Sequence, residues 1–188
     1  KVLVLLALVA VVVAQNPPAP AWPNQFSATL IAESRHGMEI RRLFYDKAKN
    51  VDRIDGMVEW MGEMYFAENM FLHAEGKEYT MFHDMGTLMC YTGPINSTIP
   101  RPDLSHFRYA GTAIIDYHSC YHWIAVDPLG NSMQYWDRQD NREPKRMDFY
   151  DKKRDAAMKI TFHEFDAGAQ DASLFEVPKW LTCNPWPN

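Results

Sequence analysis

No apolar run in this sequence is long enough for a helical membrane span, which takes ~20 residues. The longest, KVLVLLALVAVVVA at residues 1–14, is one positive residue followed by a Val-rich stretch with small residues at its end. That pattern is expected of a secretory signal cleaved after Ala14, so it is set aside from the fold. Cysteine is scarce: three are present, Cys90, Cys120 and Cys183. An odd count in a secreted chain leaves either a free thiol or an intermolecular bond. A cationic stripe is missing as well, because 19 Lys and Arg are interleaved with 24 Asp and Glu for a net charge of −5, which argues against nucleic acid as a partner. There is no Gly-x-Ser-x-Gly, no phosphate loop and no dinucleotide fingerprint. His163-Glu164 begins like a zincin helix, but Ala167 stands where the second histidine belongs, and the motif fails. Nothing sets a general base against a nucleophile, so no enzyme is expected. Helical periodicity is also nearly absent, with residues 58–64 and 171–175 the only short candidates.

What is present alternates. Residues 15–24 (QNPPAPAWPN) are too rich in proline for a helix or central strand and read as an extended leader. From residue 25 to 188, one domain's length, period-two runs recur at hairpin spacing. They cover residues 25–33, 38–46, 51–55, 64–73, 77–83, 85–91, 145–150 and 158–165. The organising stretch is residues 107–150, in which Ile114, Cys120, Ile124 and Val126 alternate with Ile115, Tyr117, Tyr121 and Trp123. This predicts one strand with two semi-apolar faces, turned by Asp127-Pro128-Leu129-Gly130-Asn131 into a second strand at 132–137. About ten strands with hardly any helix predict a barrel, half-barrel or sandwich. Asn96-Ser97-Thr98, between Pro94 and Pro100, is an N-glycosylation sequon in a surface loop.

The expected disulfide joins Cys90 to Cys120, which sit in strand-like runs on either side of one loop. Cys183 is an equal candidate partner, and all three pairings stay open on sequence alone. His118, Cys120 and His122 on one strand face carry the spacing of a metal or thiolate site, but a secreted cysteine is usually oxidised, so half-exposed histidines are the expectation. Ten Phe, nine Tyr, six Trp and eleven Met exceed what a minimal core requires. They suit a curved sheet around an apolar cavity, with Phe66, Phe71, Trp123, Tyr135, Phe149 and Phe162 as lining candidates by size and parity.

Several spaced features carry a family resemblance. Arg42-Leu43-Phe44-Tyr45-Asp46 followed by Val51-Asp52-Arg53-Ile54-Asp55 resembles the opening hairpin of ependymin-related secreted proteins. A longer series is similar to the LolA-like module that precedes the protease domain in some protist papain-type enzymes. It runs Tyr121-His122-Trp123, Gly130, Tyr135-Trp136-Asp137, Pro144-Lys145-Arg146-Met147, Phe162-His163-Glu164-Phe165, Leu174-Phe175-Glu176-Val177-Pro178 and Cys183. The resemblance implies a mostly β, strongly curved antiparallel half-barrel that binds acyl chains or glycolipids in its concave face. No room is left after the module for a papain-like catalytic domain, so that activity is not carried over, and the four-cysteine pattern of typical ependymins is incomplete. It also implies calcium, for which Glu164, Asp166 and Asp171 offer oxygens. The spacing of an EF-hand loop is missing, however, and no cofactor is expected. The combined expectation is a secreted, non-enzymatic carrier of a hydrophobic ligand. Its rival is an extracellular structural glycoprotein with a filled core that assembles through an edge strand or Cys183.

Overall fold

A computed structural model describes residues 16–187; the proposed signal sequence lies outside the described residues. The chain makes one sheet from two antiparallel meanders. The first comprises β1 (Gln25–Ser34), β2 (Gly37–Asp46), β3 (Val51–Trp60), β4 (Glu63–Leu72), β5 (Lys77–Asp84) and β6 (Thr87–Pro94). The second comprises β7 (Arg108–Ile115), β8 (His118–Val126), β9 (Ser132–Arg138), β10 (Pro144–Asp151) and β11 (Ala156–Ala167), after which come a single 3-10 turn (Ala172–Phe175) and a two-residue β12 (Asn184–Pro185). The order across the sheet is β12-β6-β5-β4-β3-β2-β1-β11-β10-β9-β8-β7. The meanders therefore join where β1 pairs with β11, and this mostly β, open, curved architecture agrees with the sequence reading at 12 strands rather than about ten.

Turn chemistry explains the differences. The run read as one strand across residue 116 is a hairpin, because Asp116 and Tyr117 take φ of 46° and 65°, the two-residue turn that matches strand twist. An aspartate in the left-handed region was the only available signal, since the turn lacks glycine. Residues 58–64 are not helical either: β3 continues to Trp60, and Met61-Gly62 turns the chain directly into β4. The 3-10 turn does fall in the second helical candidate, capped by Asp171 Oδ1 accepting from the Ser173 N–H. A bulge on β11 is centred on Glu164, whose φ is 46°. It resets parity, so Phe162 and Phe165 both reach one face, where Phe165 stacks on Phe26 at 5.0 Å.

The reach of the chain dictates the curvature. β6 and β7 stand ten strand spacings apart in the order above, ~48 Å in a flat sheet. Residues 94–108 span ~46–50 Å only at full stretch, yet they contain a turn, where Leu104 C=O accepts from the Phe107 N–H at 3.2 Å. The sheet must bend to bring its edges together, and the crossover must run over the concave side. Ile99, Leu104 and Phe107 accordingly sit in one buried cluster with Phe26, Leu43, Tyr45, Trp123, Tyr135, Met147 and Phe162, joined by Trp22 from the leader.

The convex face is covered over one half only. There Val51, Met70, Met81 and Cys90 are capped by Phe175, Leu174, Val177 and Leu181 from the C-terminal strap. A disulfide pins the strap, and it joins Cys90 to Cys183, with a sequence separation of 93 residues. This corrects the expected Cys90–Cys120 bridge: β6 and β8 lie near opposite edges, so no common loop brings those cysteines together. Cys120 is a free, buried thiol. Arg53 adds a polar anchor, binding Asp55 bidentately at 2.8 Å and Glu68 at 2.8 Å while donating to the Leu174 carbonyl at 3.1 Å.

Candidate functional site

The concave face is built from aromatic residues whose registers align across strands. Trp123 faces Tyr135 across β8 and β9, Tyr135 faces Met147, and Met147 faces Ile160. Trp22 plugs the centre, making edge contacts with Phe26 at 5.6 Å and Phe162 at 5.8 Å. Its carbonyl accepts a hydrogen bond from Arg101 of the crossover at 3.4 Å, so the two covering segments hold each other down. At the other end of the crossover, the His73 ring bridges Asp52 Oδ1 at 2.7 Å and the Ser97 carbonyl at 2.8 Å.

This plug does not reach the end of the sheet where β8 passes into β9. An open pocket of about 600 Å³ remains there between residues 103–107 of the crossover and the tips of β8, β9 and β10. Phe107, Ala125, Met133 and Phe149 give it an apolar wall, and Asp127, Asn131 and Asp151 stand at its mouth. A second cleft, of about 490 Å³, is polar and lies among Glu33, Gln134, Arg146, Asp148 and Lys159. Most of its charges are paired, Arg146 with Asp148 at 2.6 Å and Lys159 with Glu33 at 2.7 Å, which leaves Arg35 as the lining cation outside these pairs.

Of the six lining candidates, Phe149 borders the apolar pocket. Trp123, Tyr135 and Phe162 lie behind it in the sealed cluster. Phe71 is half-buried beside the His73 ring, 6.2 Å away. Phe66 is on the opposite, convex face, since it pairs with Met57 and not with the concave-face series. The sequence reading did not single out Phe107, Ala125 and Met133, because their importance depends on the crossover folding back. It also passed over an aromatic group at the far side of the concave face. There Trp60 stacks on Phe82 at 4.9 Å and Tyr91 on Trp186 at 5.2 Å.

The electrostatics are structural. Asp137 is buried, accepting from the Trp123 indole N–H at 2.6 Å and pairing with Arg142, whose guanidinium lies over the Trp123 ring. Burial pushes the Asp137 carboxyl above the usual carboxylate range despite these two bonds, and burial does the same to Asp52. A folded-state value above the unfolded one means that the folded protein takes up a proton first as pH falls. Stability from Asp137 therefore increases as pH drops from its folded value towards the ordinary carboxylate range and is lost as pH rises through that window. Asp137→Asn should flatten this part of a stability–pH curve measured by denaturant titration, and an unchanged curve would count against it.

Burial also raises the Cys120 thiol and the Tyr135 phenol above their ordinary values. Cys120 is thus neither nucleophile nor ready ligand. His122 stacks on Trp136 at 4.5 Å and meets Gln134 at 2.9 Å, leaving the sequence trio His118, Cys120 and His122 without a shared centre. Among the described residues no group of three or more His, Cys, Asp or Glu converges as metal ligands. Of the three residues considered for calcium, Glu164 accepts from Thr29 at 2.6 Å and Asp171 caps the 3-10 turn, so two of them are engaged at separate places and do not join Asp166 in one ligand set.

A family model described as a domain of unknown function (DUF8395) matches residues 21–181. The chain belongs to this family. Among solved structures, the DUF8395 chain is similar to an uncharacterized conserved protein from Thermus thermophilus. The TM-score is 0.57 at 14% identity over 87% of this chain and 91% of that one, a likeness of fold alone. A LolA superfamily protein from Nitrosomonas europaea aligns at TM-score 0.36 and 9% identity, covering 87% of this chain and 94% of that one. The MucA/MucB complex of Pseudomonas aeruginosa aligns at TM-score 0.46 and 9% identity, covering 82% of this chain and 56% of that one. A comparison with curated proteins found no match. No helix among the described residues of the DUF8395 domain is long and apolar enough to cross a membrane.

Proposed function

We propose that the chain is a secreted, non-enzymatic, single-domain protein that holds a hydrophobic ligand, a fatty acid, phospholipid or glycolipid, on the concave face of its sheet. The pocket of about 600 Å³ carries this reading. Its size falls within the ~300–1,000 Å³ of small-molecule sites, and its apolar wall is continuous with the buried cluster. An acyl chain entering it gains ~0.8 kcal/mol per methylene removed from water and needs no polar contact along its length. Asn131 and the carboxylates Asp127 and Asp151 at the mouth suit the hydroxyl donors of a glycolipid headgroup and disfavour a bare carboxylate or phosphate there. The sequence resemblance to LolA-like modules and ependymin-related proteins supports the same reading. Phe149, Phe107 and Met133 contact the ligand, with Trp123, Tyr135 and Phe162 as its rigid backing. Phe71 and Phe66 stand apart from the pocket.

Native mass spectrometry and solvent extraction of the purified protein should recover a lipid, and a fluorescent fatty acid should be displaced by unlabelled chains. Met133→Glu is expected to weaken that binding about ten-fold, since a charge in the wall costs at least ~1.4 kcal/mol. Failure to recover lipid, together with no displacement, would reject the reading.

The exposed Asn96 at the start of the crossover suits an N-glycan on a secreted chain. A mass loss on enzymatic deglycosylation that Asn96→Gln abolishes is the matching result. The rival, a scaffold with a filled interior, draws on Trp22, Ile99 and Leu104 occupying the concave centre. It has lost its covalent link, because Cys183 is bonded within the chain. It keeps β7 as an edge strand, and self-association on size-exclusion chromatography without bound lipid would favour it.

A further inference from the structure

The strand directions place the hairpin tips β1–β2, β3–β4, β5–β6, β8–β9 and β10–β11 at one end of the sheet, the end onto which the apolar pocket opens. The large apolar side chains that remain exposed gather there. Met61 and Met85 are the apices of two tips, Leu129 of a third, and Met38, Met64 and Val126 stand beside them. Away from this rim, Ile114 and Tyr117 at the opposite end and Trp180 of the C-terminal strap are the comparably exposed side chains among the described residues. Isolated exposed hydrophobes need no explanation, but a rim of them does.

Two of these residues also sit in a costly backbone conformation. Met61 and Met85 have φ of 52° and 41° ahead of Gly62 and Gly86. This two-residue turn favours Asn-Gly, because the left-handed region suits asparagine and penalises a bulky side chain. Neither methionine is buried against anything. The chain thus pays twice, in backbone conformation and in exposed apolar surface, without a gain inside the molecule.

Charge completes the pattern. The β1–β2 tip offers Arg35 and His36, and the β10–β11 tip offers Lys152 and Lys153, all exposed, while Arg154 of the same tip pairs with Asp151 at 3.7 Å. β1 and β11 are neighbours, so these cations form one cluster at the middle of the rim. The Lys152 side chain lies over Gly130, and the Lys152 N–H donates to Asn131 Oδ1 at 3.0 Å, joining that cluster to the Leu129 tip. Apolar tips therefore flank three unpaired cations, Arg35, Lys152 and Lys153, interspersed with Asp127, Asp151 and Asp155 and followed by Glu59, Glu63 and Asp84 on the Met61 and Met85 side.

The geometry points to this rim as a docking surface for a bilayer containing anionic phospholipid: Met61, Met85 and Leu129 enter the headgroup boundary, and the unpaired cations Arg35, Lys152 and Lys153 meet lipid phosphates. Docking would set the mouth of the pocket against the lipid, and in this it builds on the ligand reading above.

The test is co-sedimentation of the full chain with phosphatidylcholine vesicles, with and without phosphatidylserine. Binding is expected only with the anionic lipid and should fall as salt rises. Met61→Asn with Met85→Asn should raise thermal stability by relieving both turns while lowering vesicle binding about ten-fold. Lys152→Glu with Lys153→Glu should abolish binding, and Ile114→Asp at the opposite end should leave it intact. Fatty-acid displacement measured without vesicles should be unchanged in all the rim variants, so a failed pocket and a failed rim are told apart. No binding to anionic vesicles, equal loss with Ile114→Asp, or rim-dependent self-association in place of vesicle binding would overturn the proposal.

Discussion

Replacing Cys183 with serine should lower the unfolding free energy by about 4.6 kcal/mol, the loop-entropy value for a bridge spanning 93 residues. The chain between Cys90 and Cys183 includes the crossover and the whole second meander, so freeing it restores much conformational freedom to the unfolded state. A native-state contribution adds to this. The strap that ends in Cys183 covers Val51, Met70 and Met81 with Phe175 and its neighbours, and the polar ties left without the bridge are the Arg53 bond to the Leu174 carbonyl and, just past Cys183, the short β12–β6 pairing with the Trp186 bond to Glu78. The variant should therefore bind a hydrophobic dye and lose amide protection first in β3 to β6, while β7 to β11 keep theirs. Reduction of the wild-type protein should give the same denaturation midpoint as Cys183→Ser, and Cys120→Ser should move it far less. A Cys120→Ser variant as unstable as Cys183→Ser would show that the bridge is drawn between the wrong residues.

That pairing marks the limit of what alternation can convey. Period two identified nearly every strand, because each buries one face and the polar residues between, such as Arg42 and Arg53, mark the other. Hairpins with explicit turn residues were equally legible: Asp127 accepts from the Leu129 and Asn131 N–H groups, as its place before Pro-Leu-Gly-Asn suggested. Strand order was not legible, because a meander and a sheet joined in its middle share the same local signals. The Cys90–Cys183 bridge and the crossover over the concave face both follow from that order. The site suffered similarly. Trp123, Tyr135, Phe149 and Phe162 share a face by parity, but which of them border open space depends on where residues 99–107 come to rest. Phe66 was misplaced for a simpler reason. Its strand has large side chains on both faces, with Tyr65 concave and Phe66 convex, and size alone does not choose between them.

Trp22→Ala should cost about 3–5 kcal/mol, the range for removing a buried aromatic whose surroundings relax only in part. The indole lies among Phe26, Tyr45 and Phe162, and all three belong to strands held in register on both sides. Collapse into the vacated space is therefore hindered, and a hollow results. Because an apolar hollow of this kind stays dry and accepts apolar guests, the variant should take up a fluorescent fatty acid or a smaller apolar probe more tightly than the wild type, although it is less stable. Trp22→Phe separates packing from polarity. The Trp22 indole N–H and the Tyr45 hydroxyl are both buried without a hydrogen-bond partner, so exchanging the indole for a phenyl ring removes an unsatisfied donor along with some volume. It should cost about 1 kcal/mol and leave probe binding close to wild type. If Trp22→Ala destabilises as expected but gains no capacity for an apolar probe, the centre of the concave face is a core that closes on itself. Any ligand is then confined to the pocket beside Phe107 and Phe149.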